Sequence, residues 1–125
     1  MSDNGNSKMV VVCNHADAPH VMPTLIMGAS GVSIGEEVIL FFCPGGSPVL
    51  VNGELEKIRD MKLKGLPDPV QLFDDIINEG GRVILCELAL ENKGIDTADV
   101  RAGVEIMNAP SFLLDAQGAG LSLVF

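Results

Sequence analysis

The sequence has no tryptophan and no tyrosine, and five phenylalanines are its whole aromatic content of that kind. A core without large amphipathic rings has to be assembled from Val, Ile, Leu and Met, and a 47% hydrophobic fraction supplies enough of them to fold. Basic residues are scarce, 8 against 17 acidic ones, which leaves a net charge of −9. Phosphate backbones and anionic membranes repel such a chain, so neither nucleic acid nor a membrane is an expected partner. Long apolar runs are missing: "EVILFFC" and "RVILC" fall far short of the ~20 residues of a bilayer-spanning helix. No Lys/Arg-rich start precedes an apolar leader segment, so secretion is not expected. Cysteine is sparse and odd in number, with Cys13, Cys43 and Cys86. That argues against a disulfide framework and for reduced thiols in a cytoplasm.

What is present reads as one α/β domain. The 125 residues suit a single core. The polar, Gly/Asn/Ser-rich start is expected to be a flexible N-terminus over 1–7, leaving 8–125 as the domain. Five short runs predict strands: "KMVVVCN", "EVILFFC", "RVILC", "GVEIMN" and "LSLVF". The first three are apolar on consecutive residues, the signature of strands covered on both faces and hence of a parallel sheet. Between them lie helical segments. In "DPVQLFDDIINEGG", Asp68 suits the N-cap, Pro69 the first turn, and Val70, Phe73, Ile76 and Ile77 form one stripe before Gly80. "NAPSFLLDAQGAG" repeats the device, "NGELEKIRDMKLKG" is a more polar version, and "VMPTLIMGASGVS" places Pro23 near a helix start. Alternating strand and helix predict a three-layer α/β/α sandwich around a mainly parallel five-stranded sheet. The run "CPGGSPVLVNG" is the longest expected irregular connection and a candidate mobile loop.

In such a sheet the ligand crevice lies outside the carboxyl ends of the strands. Cys13, Cys43 and Cys86 all fall there, with His15 and His20 following the first strand. For Cys13 and Cys43 the simpler reading is a small buried hydrophobe. Cys86 is followed by "ELALENKG", about two helical turns closed by Gly94, and backbone N–H groups at a helix start favour a thiolate. Glu87 opposes this if its carboxylate turns inward. No C-x-x-C or H-x-x-x-H spacing supports a metal, no G-x-G-x-x-G follows the first strand, and no G-x-S-x-G appears. Neither a metal nor a cofactor is expected.

The pieces "PHVMPTLIMGASGVSIGEEVILFFCPGG", "GLPDPVQLFDDIINEGGRVILCELALENKGI" and "GVEIMNAPSFLLDAQGAGLSLVF" carry a resemblance. In this order the chain resembles the DsrE/DsrF-like family of small sulfur-relay proteins, in particular its single-chain, peroxiredoxin-labelled branch. The most specific piece is "VILCELALENKGI". The resemblance implies that Cys86 is the sulfur-carrying cysteine, accepting a sulfane sulfur or thiosulfonate and passing it to a partner protein. It also implies a homo-oligomer, a trimer or hexamer, with sulfur donors and acceptors as its other partners. Cys13 and Cys43 match no fixed cysteine of that pattern, and they, His15 and His20 are supporting candidates. Two alternatives stay open. One is thiol–disulfide work by Cys86 with Cys43 or Cys13, which needs Cα atoms about 4.4–6.8 Å apart. The other is a non-catalytic oligomeric binding module.

Overall fold

The computed structural model describes residues 7–125. The expected flexible start lies outside them except for Ser7, whose carbonyl already accepts a 3.0 Å hydrogen bond from the Glu37 N–H. Five strands, β1 Lys8–Cys13, β2 Glu37–Phe42, β3 Arg82–Cys86, β4 Val104–Met107 and β5 Leu121–Val124, form one sheet in the order β4-β3-β2-β1-β5. Every neighbouring pair is parallel. The helices are α1 Ala18–Ser33, α2 Glu54–Asp60, α3 Pro69–Asn78, α4 Leu88–Asn92 and α5 Ala109–Ala116. This is the α/β/α sandwich that the strand and helix runs predict.

The path of the chain decides what covers each face. From β1 the chain steps to β2, β3 and β4 in one direction, then crosses the whole sheet to reach β5 beside β1. Right-handed crossovers put connections of opposite direction on opposite faces. One face accordingly carries α1 and α3 over Met9, Val11, Val38, Leu40, Phe42, Val83 and Leu85. The other carries α5, whose Phe112 packs over Val10, Ile39, Phe41, Ile84 and Cys86. Phe112 stacks on Phe41 with ring centroids 4.2 Å apart.

Local sequence fixes the helix ends. The Asp68 carboxylate accepts from the N–H of Val70 at 2.8 Å and of Gln71 at 3.4 Å, and Asn108 accepts from Ser111 at 2.8 Å. Caps of this kind contribute about 1 kcal/mol each. α1 begins three residues ahead of the expected Val21, so Pro23 sits in its second turn rather than its first. The carbonyl that Pro23 leaves without its helical partner belongs to Pro19, which is exposed to solvent. Gly28 and Gly31 let α1 settle on side chains: a Cβ on Gly31 would meet Met9 Sδ and Val38 Cγ2, each at 2.8 Å.

The expected mobile connection after Cys43 is different in the structure. Ser47–Leu50 form a 3-10 turn with Val49 and Leu50 buried, and Val51 bridges to Val100. Burial of that short apolar pair turns the run into part of the core. Among the described residues no helix is long and apolar enough to cross a membrane.

Candidate functional site

Alternation along β3 puts Arg82, Ile84 and Cys86 toward α5 and Val83 and Leu85 toward α1. Cys86 closes the strand at the carboxyl edge, paired with Met107, and is only 3% exposed. The next N–H, of Glu87, donates to the Met107 carbonyl at 3.0 Å, and the chain then turns into α4. The two helical turns expected after Cys86 shrink to a five-residue helix. Ile95 N–H donates back to the Leu90 carbonyl at 2.9 Å and Gly94 takes a φ of 64°, which stops the helix early. Cys86 stands one residue before the helix cap, Glu87, whose side chain makes no capping hydrogen bond and is exposed.

Cys43 follows β2 directly. The last paired residues of β2 and β3 are Phe42 and Leu85, so one step further on Cys43 comes opposite Cys86, and both turn toward the α5 face. Neighbouring strands lie about 4.8 Å apart, inside the span over which two cysteines can be joined. The backbone beyond Cys43 is clamped. Cys43 N–H donates to the Cys13 carbonyl at 3.0 Å, and the Cys43 carbonyl accepts from Gly46 N–H at 2.9 Å and Ser47 N–H at 3.0 Å. Glycine is required at both turn positions: a Cβ on Gly45 would lie 2.3 Å from the Asn14 carbonyl oxygen, and one on Gly46 2.5 Å from that of Cys13. The clamp holds Cys43 half-buried beside a shallow depression of about 420 Å³ lined by Pro44, Leu88, Glu91 and Asn92. Burial pushes the Cys43 thiol above its ordinary value; the nearby Cys86 and Cys13 thiols add to the rise, and a backbone hydrogen bond opposes it.

Cys13 belongs elsewhere. It lies on the α1 face, fully buried, with Sγ donating to the His15 carbonyl at 3.2 Å and the His20 carbonyl at 3.8 Å. His15 and His20 stack on each other, centroids 4.0 Å apart, at the exit of β1, which β2 separates from β3. His20 Nδ1 is 2.7 Å from Asp17 Oδ1, and His15 Nδ1 is 3.5 Å from the Phe125 carbonyl oxygen. Of the five candidates, therefore, the structure brings Cys43 and Cys86 together and leaves Cys13, His15 and His20 as a separate group. Among the described residues no three or more His, Cys, Asp and Glu side chains are placed to hold a metal ion.

Two features have no counterpart in the sequence reading. On the α5 face Arg82 holds Glu105 through two hydrogen bonds, at 2.9 and 2.8 Å, and Asp115 at 2.9 Å, joining β3, β4 and α5. The Arg82 guanidinium lowers the Glu105 carboxyl below its ordinary range. A cavity of about 780 Å³ lies between α1 and α2, lined by Met22, Pro23, Ile26, Ile58, Met61 and Leu66 among others, with no cysteine or histidine in its wall. Its wall is mainly apolar, with Asp17, Glu54 and Lys57 as its charged members.

No protein-family model matches the sequence. The chain is similar to the uncharacterized protein MJ0760 of Methanocaldococcus jannaschii, 27% identical over 97 residues. That match takes in 78% of this chain and 34% of the other, so the chain spans about a third of the relative's length. Among solved structures it is similar to the ychN protein of E. coli, with a TM-score of 0.76 at 20% identity over 95% of this chain and 99% of the other. It is also similar to MTH1491, a protein of unknown function from Methanobacterium thermoautotrophicum. There the TM-score is 0.71 at 15% identity, over 96% and 100% of the two chains. At these identities the likeness is one of fold.

Proposed function

We propose that the chain is a cytoplasmic sulfur carrier of the DsrE/DsrF-like kind, holding a sulfane sulfur or thiosulfonate on Cys86 and passing it to a partner protein. The observation that carries this reading is the position of Cys86 at the carboxyl edge of a parallel sheet, opposite a second thiol. A thiolate is the nucleophile such chemistry needs, and all three cysteines are free. The resemblance in "VILCELALENKGI" and the fold shared with the ychN protein and MTH1491 support it further. The same reading includes a homo-oligomer, supported by the apolar side chains that α5 and β5 leave on the surface.

Intact mass spectrometry after incubation with thiosulfate, tetrathionate or a persulfide tests the proposal. Wild type is expected to gain a donor-derived sulfur adduct, and Cys86→Ser to lose stable loading at that residue. Absence of any adduct on wild type from all three donors overturns the reading. A second reading, thiol–disulfide exchange, is favoured by the same opposition of Cys43 and Cys86, and it excludes Cys13, which lies on the other face. In that case mild oxidation removes two free thiols together, without any adduct.

A further inference from the structure

Cys86 is the cysteine that the carrier reading needs, yet it is 3% exposed beneath α5 and beside α4. A donor cannot bring its sulfur into line with a sulfur atom walled in by Met107, Ile84 and Phe112. Cys43 is the more accessible thiol of the pair. It lies opposite Cys86 on the same face, and the turn behind it is locked by Gly45 and Gly46 against the backbone of Asn14 and Cys13. An accessible sulfur held rigidly next to a buried one is the arrangement of a relay.

We propose that Cys43 is the outer sulfur of a two-cysteine relay, taking sulfane sulfur from a low-molecular-weight persulfide and handing it to Cys86. This rests on the carrier reading. In the first exchange the Cys43 thiolate attacks the terminal sulfur of R–S–SH. The donor S–S bond breaks, a new one forms on Cys43, and R–S⁻ leaves and takes up a proton from water. In the second, the Cys86 thiolate attacks the terminal sulfur of the Cys43 persulfide, and that S–S bond breaks as the Cys86 persulfide forms. The Cys43 thiolate is thereby restored. Nothing is oxidised or reduced overall, because the sulfane sulfur keeps its oxidation state through both steps. An S–S bond of about 2.05 Å carries the terminal sulfur a little under half of the roughly 4.8 Å between opposed residues, which leaves a short step to the second sulfur. Burial then shields the Cys86 persulfide from thiols in solution, and the second exchange run backwards returns the sulfur to the surface.

The experiment uses glutathione persulfide as donor, with site-resolved mass spectrometry of the full chain quenched over time. In wild type the adduct is expected on Cys43 first and on Cys86 later. In Cys86→Ser it is expected to stay on Cys43. In Cys43→Ser, and in Cys43→Ala as a check on the introduced hydroxyl, Cys86 is expected to load at least about tenfold more slowly, the advantage of a pre-positioned partner being lost. Loading of Cys86 at the wild-type rate in both Cys43 variants overturns the relay and leaves the carrier reading standing. No sulfur on either cysteine of wild type overturns the carrier reading and the relay with it. Thermal unfolding of each variant by circular dichroism confirms that the rates compare folded proteins.

Discussion

Cys43 is the residue whose surroundings can be read most directly in a titration. Burial and the neighbouring Cys86 thiol raise its pKa above the ordinary value of 9.0. The thiolate fraction is therefore lower than that of an unperturbed thiol at neutral pH, and it goes on rising beyond pH 9. Alkylation of Cys43 by iodoacetamide, followed at its own peptide, is expected to climb about tenfold per pH unit from 7 to 9 with no plateau below 9. In Cys86→Ser one source of the rise is gone, so the Cys43 pKa falls and its rate at a given pH below 9 increases. A plateau near pH 8 in wild type, or identical profiles in the two proteins, would remove the electrostatic coupling between the two sulfurs. The raised pKa also slows the first step of the relay at neutral pH. It leaves the thiolate, once formed, a strong nucleophile, since intrinsic reactivity grows with basicity.

At the scale of elements, one short helix protects the buried sulfur. α5 spans eight residues and meets the sheet through Phe112, which fills the space above Phe41, Ile84 and Cys86. Phe112→Ala is expected to destabilise the protein by about 3 kcal/mol in chemical denaturation, as large-to-small changes in a well-packed core do. It should also raise the native alkylation rate of Cys86. A loss under about 1 kcal/mol, with Cys86 still unreactive, would mean that α5 does not gate the site. Most of these elements are legible in the chain. The first three strands stand out because burial on both faces makes them continuously apolar, and α3 and α5 announce themselves through Asp68 with Pro69 and Asn108 with Pro110. The start of α1 is harder to read, because the Asp17 carboxylate lies against His20 and makes no capping hydrogen bond. The 3-10 turn at Ser47–Leu50 is invisible for another reason: Val49 and Leu50 are buried by residues distant in sequence. The candidate site is half legible. Period-two alternation tells which way Cys86 points, but its meeting with Cys43 depends on the register of β2 with β3, which no local pattern contains.

The whole molecule is lopsided because its chain reverses direction once. Three crossovers run one way from β1 to β4 and a single one returns, so α5 is the main cover of its face. Leu113 at 60% exposure and Leu114 at 66% then point outward from α5, and Val124 at 74% from β5. Exposed apolar side chains give another protein surface something to cover, and the proposed homo-oligomer rests on them. The net charge of −9 works against self-association, since identical acidic chains repel. Assembly should therefore tighten as salt screens that repulsion, the reverse of what an interface held by ion pairs would do. Sedimentation velocity at about 0.05 M and about 0.5 M salt is expected to show a larger species at the higher concentration. A Leu113→Lys, Leu114→Lys double variant is expected to be monomeric at both. A wild-type monomer at every salt concentration would leave those leucines without a partner of their own kind. An oligomer unmoved by the double variant would place the contact on another surface, such as the apolar cavity wall at Met61 and Leu66.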